Sequence, residues 1–355
     1  MAQHLEDHAI EPSIIGDAGS AKANLWATIG PERDDGVILS GHTDCVPVDG
    51  QAWSSDPFAV VEREGRWYGR GTSDMKTFLA VVLAALPSLV AAPLRRPIHL
   101  AFSYDEEVGG GGARLLIDDL VAAGVRASHC IVGEPTRMQV VTSHKGIFVY
   151  RATAHGTEAH SSLAPRAVNA AEFAARLLVA LQDLGRTKGA EGPFDPAFDV
   201  PHTTVHAGVI HAGTALNIVP SLAEMEFEFR HLPEDDPGVI RDRMEGIVER
   251  LTSEMTSVHR EAGIELVMRA HLPSLDTDPV AHVVRAVRAL TDVAGLGKVA
   301  YGTEAGLFTE VLGVPTVVCG PGSIDQAHRP DEWIAVAQVR ACEDFVARLG
   351  ASLSE

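Results

Sequence analysis

The 355-residue chain is poor in several things. It has only four cysteines, Cys45, Cys130, Cys319 and Cys342, scattered without paired spacing. That argues against a disulfide framework and suits a reducing, cytoplasmic compartment. Positive charge is scarce: 29 Lys and Arg stand against 48 Asp and Glu, a formal net charge of −19. So acidic a surface excludes nucleic acid and anionic membranes as partners but leaves small-molecule chemistry open. No apolar run reaches a membrane span; the longest, residues 78–94, is broken by Pro87 and Pro93. The opening MAQHLEDHAI has no basic region followed by an apolar one, so no signal peptide is expected. What remains is ordinary globular composition, 46% hydrophobic and 22% charged, enough for one large or two modest domains.

Against that background, four short apolar runs stand out by how they end. Residues 37–40 stop at Gly41-His42-Thr43-Asp44, and residues 98–102 run into Ser103-Tyr104-Asp105-Glu106-Glu107. Residues 130–132 lead into Gly133-Glu134-Pro135-Thr136. Residues 316–319 lead into Gly320-Pro321-Gly322-Ser323, with His328 a few positions on. Strands alternating with helices predict a mostly parallel sheet with helices on both faces, and such sheets bind ligands outside the carboxyl ends of their strands. His42, Glu107, Glu134 and His328 should therefore converge. Asp74 can join them from the loop 69–74, ahead of a helix beginning near Met75 with Thr72 or Ser73 as its expected cap.

Three adjacent acids, Asp105 to Glu107, repel one another unless a cation sits among them. Neighbouring side chains in extended chain point to different sides, so one acid can hold a metal while the next holds a water. Taken alone, the stretch reads equally well as an acidic loop capping the next helix. The wider set of two histidines and three acids, without thiolates, suits zinc or a similar divalent ion. It is too large for one catalytic zinc and fits two ions about 3.5–4 Å apart sharing a carboxylate. A phosphate cradle at Gly109 to Gly112 is disfavoured, because a dinucleotide fingerprint needs glycine where Arg114 stands and the preceding acids would repel a pyrophosphate.

The middle of the chain reads as a strand over 147–154, a helix over 166–184 and strands over 202–210 and 222–229. A helix over 236–257 and a strand over 264–270 complete it. That is the ferredoxin-like order β-α-β-β-α-β. The expected fold class is α/β: a mixed, mostly parallel sheet in a catalytic domain of residues 1–146 and 271–355, interrupted by a ferredoxin-like α+β domain, 147–270. His4, His8, His206 and His211 lack convergent context and read as structural or surface residues.

The motifs GHTD at 41, RGTSDMK at 70, DEEVG at 105, GEPT at 133, HKG at 144, GTEAHSS at 156, ALNIVP at 215 and QAHRPDE at 326 cover nearly the whole chain. In this order they resemble the di-zinc aminoacylase and carboxypeptidase group of metallopeptidases. The resemblance implies a hydrolase of linear amides that uses two Zn2+, with Co2+ as a possible substitute. His42 and Glu134 would ligate one ion, Glu107 and His328 the other, and Asp74 would bridge them, with a cis peptide to Met75. The Asp44 carboxylate would accept the second ring N–H of His42, and Glu106 would be the general base. The inserted domain would serve as lid and homodimer interface. His160, from the partner subunit, would donate to the oxyanion; Asn217, Arg230 and Thr303 would bind substrate, Arg230 gripping an α-carboxylate.

Within this group, GPGSIDQAHRPDE is most similar to acetylornithine deacetylase. Glu304 and Asp325, acids rather than added cations, are read as welcoming an ornithine amine and repelling a succinyl tail. The expected reaction is deacetylation of N2-acetyl-L-ornithine to ornithine and acetate, a step of arginine biosynthesis. Succinyl-diaminopimelate desuccinylase, aminoacylase and glutamate carboxypeptidase activities are the alternatives. A non-catalytic metal-binding relative is the alternative from another class, but it should lose ligands or the base, and this chain keeps them all.

Overall fold

In the computed structural model, which describes residues 1–16 and 21–355, the runs that end in metal-binding residue types are the middle strands of one sheet. Across that sheet the strands lie in the order Ser13–Gly16, Ala23–Ile29, Ile98–Ser103, Gly36–His42, Ala127–Pro135, Thr316–Gly320, Val140–His144 and Leu275–Asp276, with Leu296–Val299 also beside Val140–His144. The four in the centre, Ile98–Ser103 to Thr316–Gly320, are mutually parallel, and antiparallel strands flank them. Gly36–His42, Ile98–Ser103 and Thr316–Gly320 are buried at every residue, as strands covered on both faces must be. Val37 and Leu39 join a core with Phe78, Val82, Val284 and Phe345 from the helices Lys76–Ala84, His282–Arg288 and Val336–Ser352. Ser40 faces the other way, toward Glu304 at the start of the helix Ala305–Glu310. These elements make up one compact unit, Met1–His144 with Leu275–Glu355.

The second unit, Lys145–Ser274, has the strands and helices Gly146–His155, Ala170–Glu191, Thr204–Ala212, Leu222–His231, Pro237–Val258 and Gly263–Leu272. Its four long strands form an antiparallel sheet in the order Thr204–Ala212, Leu222–His231, Gly146–His155, Gly263–Leu272. Along Leu222–His231, Ala223, Met225, Phe227 and Phe229 are buried with residues of both helices, and Glu224, Glu226 and Glu228 alternate with them on the open face. The first helix begins at Ala170, later than the expected 166, because residues 161–166 make a 3-10 turn containing Pro165. Asn169 then caps the helix, its Oδ1 accepting the N–H of Ala171 (3.0 Å) and Glu172 (3.2 Å). Among the described residues, no helix is long and apolar enough to cross a membrane.

Candidate metal centre

His42 closes the strand Gly36–His42, and Glu134 lies near the end of its neighbour Ala127–Pro135. Both follow a glycine, and both glycines make room for the same segment. A Cβ at Gly41 would lie 2.3 Å from Met75 Cε, and one at Gly133 would lie 2.1 Å from the Phe78 ring. With hydrogen in those places, the start of the helix Lys76–Ala84 packs directly on the strand ends and delivers Asp74 to them. The Asp74–Met75 peptide is cis. Neither Thr72 nor Ser73 caps the helix as expected: the Thr72 hydroxyl donates to the Gly69 carbonyl (2.7 Å) and that of Ser73 to the Ser323 carbonyl (3.0 Å).

Asp74 is shared by two groups of donors. Its Oδ1 lies 3.1 Å from His42 Nε2, which is 3.7 Å from Glu134 Oε1. Its Oδ2 lies 3.2 Å from His328 Nε2, which is 3.1 Å from Glu107. Within each set, His42–Asp74–Glu134 and Asp74–Glu107–His328, the donor atoms all lie within 4.8 Å of one another. Charge fits a cation site as well as geometry does. Burial opposes a charge on His42, yet Glu134, Asp44 and Asp74 hold it protonated well above the usual histidine range. Asp74 and Glu107 push His328 up to about 10. Protons thus occupy the places that two divalent ions would take, and an imidazole–carboxylate donor set without thiolate suits such ions.

The acidic loop divides its labour. Asp105, in the left-handed region (φ 56°), pairs with Lys22 at 2.5 Å and belongs to neither donor set. Glu107 enters the second set. Glu106 is withdrawn from water and surrounded by Glu107, Glu304 and Asp74, which raises its carboxyl to about 8 against the pull of His42. Asp44 departs from expectation. His42 Nδ1 lies 3.1 Å from the Asp44 main-chain oxygen and 3.5 Å from its carboxylate, because that carboxylate accepts the N–H of Glu106 (3.2 Å) and Glu107 (3.1 Å). Asp44 therefore orients the acidic loop as well as the imidazole.

Two acids read as facing substrate do not stand free. Glu304 is fully buried, its Oε1 accepting from the Ser40 hydroxyl and its Oε2 from the Ser103 hydroxyl, both at 2.6 Å. It fastens the ends of two central strands and has no face for an ornithine amine. Asp325 is paired with Arg137. Thr303 is fully buried, its Oγ1 accepting the N–H of Ala305 (3.0 Å). In the Lys145–Ser274 unit, His160 and Asn217 are exposed on the 159–160 and 218–219 strand pair and the adjoining loop. His160 Nδ1 is 2.8 Å from the Ser162 hydroxyl, and Arg230 is held by Glu228, 2.7 Å from its Nε. Sequence reasoning missed Glu332, which gathers the backbone around Asp74; its only signal was its place in QAHRPDE.

A family model, Peptidase family M20/M25/M40, matches residues 38–351. Acetylornithine deacetylase of Myxococcus xanthus is 37% identical over 340 residues, covering 94% of this chain and 85% of the relative. Acetylornithine deacetylase of Pasteurella multocida is 32% identical over 355 residues, covering 98% and 88%. The M20 family metallo-carboxypeptidase Sso-CP2 from Sulfolobus solfataricus has the same fold, with a TM-score of 0.78 and 18% identity over 99% of this chain and 92% of that one. The chain therefore belongs to peptidase family M20/M25/M40 and is a metal-dependent hydrolase of amide bonds.

Proposed function

We propose that this protein removes the acetyl group from N2-acetylornithine, with two zinc ions held by His42, Asp74, Glu134, Glu107 and His328. The observation that carries the metal reading is the sharing of Asp74 between two donor sets. Bound there, two divalent ions would supply Lewis acidity to the scissile carbonyl and lower the pKa of water. Glu106 takes a proton from the attacking water and returns it to the departing α-amine, a task suited to a carboxyl that stands next to the ligand Glu107 and belongs to neither donor set. Asp44 and Glu304 hold the strand ends and the acidic loop in register. Arg230 would bind the substrate α-carboxylate, Asn217 would orient the amide, and His160 would donate to the oxyanion, in a cytoplasmic homodimer assembled through the Lys145–Ser274 unit.

Support for the acetyl-ornithine pairing comes from the curated relatives, not from Glu304 and Asp325, which are already engaged. The second reading, a succinyl substrate, would call for an added cation, and Arg137, three residues after Glu134, is already paired with Asp325. The two are separated by comparing kcat/KM for N2-acetylornithine, N-succinyl-diaminopimelate, acetylmethionine and a glutamate-terminated dipeptide. The acetyl compound of ornithine is expected to lead; a tenfold or larger advantage for the succinyl compound or the dipeptide, about 1.4 kcal/mol in transition-state binding, overturns the proposed substrate.

A further inference from the structure

Asp74 sits on a loop, and a loop residue keeps its place only if its backbone is held. Glu332, 1% exposed, holds it. Its Oε1 accepts the N–H of Ser73 (2.8 Å) and of Asp74 itself (3.1 Å), and its Oε2 accepts the N–H of Gly71 (3.1 Å) and Arg70 Nη1 (2.7 Å). Arg70 is buried as well and reaches the Arg329 carbonyl (3.3 Å) and Gln51 Oε1 (2.7 Å). Ser73 and Ser323 exchange two further bonds, 3.0 and 3.1 Å, between the same two segments. One segment carries Asp74. The other carries His328, four residues before Glu332.

A buried ion pair is weak ground for stability, because desolvation offsets the attraction. A carboxylate that also collects three N–H groups from the loop of a shared ligand defines geometry instead. We propose that Glu332, with Arg70 as its counter-ion, is a positioning residue for the metal centre. It sets where Asp74 stands relative to His328, and so whether the Asp74–Glu107–His328 set can close on an ion. The inference rests on the reading of the two donor sets as metal sites.

The test uses metal-free full-length protein: wild type, Glu332→Gln, Glu332→Asp, and the double variant Arg70→Met with Glu332→Gln. Each is titrated with Co2+ followed by visible absorption, and its unfolding is measured without metal. Wild type is expected to take two equivalents; if it takes none, the metal reading falls and the inference with it. Glu332→Gln is expected to weaken binding about 10–100-fold, the usual effect of losing a residue that supports a ligand. The double variant leaves no lone buried charge, so its metal-free stability should return toward wild type while the binding defect persists. Wild-type affinity in the double variant would reduce Glu332 to a partner for Arg70 and overturn the proposal. Should neither Gln variant fold, Glu332→Asp keeps the charge and draws the carboxylate back by one methylene; weakened binding supports the proposal and unchanged binding refutes it.

Discussion

Adding zinc to the metal-free protein near pH 7 should drive protons into solution. His328 is held up to about 10 by carboxylates 3.2 and 3.1 Å away, so at pH 7 it carries that proton. His42 is held protonated by Glu134, Asp44 and Asp74 although burial works against it. A histidine ligand must be neutral, so filling both donor sets should release at least the imidazole protons, with more from Glu106 and Glu134, whose carboxyls burial and like charge also hold up. Raised pKa values mean that protons compete with metal at neutral pH, so affinity should keep rising above pH 6.5, by about tenfold per pH unit for each proton displaced, until His328 titrates near 10. Unperturbed histidines would place the loss of affinity below about pH 6. Calorimetric titration in buffers of different ionisation enthalpy measures the proton count. A heat independent of buffer, or an affinity flat between pH 6.5 and 9, would refute the reasoning.

Other outcomes are equally direct. Glu106→Gln should lower kcat by about 10²–10⁴ with both metals retained; metal loss or undiminished turnover would remove Glu106 from its role. His129 is buried, its Nε2 has no hydrogen-bond partner, and burial, helped by His282 and Arg96, depresses it to about 4. Neutral in the fold but protonated near 6.5 when unfolded, it contributes about 3 kcal/mol above pH 6.5 that is lost as pH falls toward 4. Urea unfolding at pH 7 and pH 5 should show a smaller acid loss for His129→Leu, and equal losses would contradict this. Gly133→Ala drives a Cβ to 2.1 Å from the Phe78 ring and should destabilise the protein by about 1–3 kcal/mol, with part of that regained by adding Phe78→Leu; the denaturant midpoint reads it.

Members of the two donor sets were legible because parallel strands announce themselves as short apolar runs, and a polar residue at the end of such a run lies at the sheet's carboxyl edge. His42, Glu107 and Glu134 could be picked out in this way. The second unit was legible through the alternation of Glu224, Glu226 and Glu228 with buried Met225, Phe227 and Phe229. The start of the helix Ala170–Glu191 was readable too, from Asn169 three residues before Glu172, and was obscured by the apolar pattern upstream. What could not be read depends on partners far along the chain. Ser73 looks like a helix cap until Glu332, 259 residues away, takes its N–H. Glu304 looks like a free acid until Ser40 and Ser103 close on it from two strands. Gly41 and Gly133 appear as motif letters, but their reason is a helix that packs where a Cβ would stand.

Diffraction at the zinc absorption edge, from crystals of the zinc-loaded protein, tests the shared-carboxylate centre most directly. Two anomalous peaks are predicted, about 3.5–4 Å apart, one against His42 and Glu134, the other against Glu107 and His328, with Asp74 between them. A single peak, or two peaks that do not share Asp74, would contradict the account.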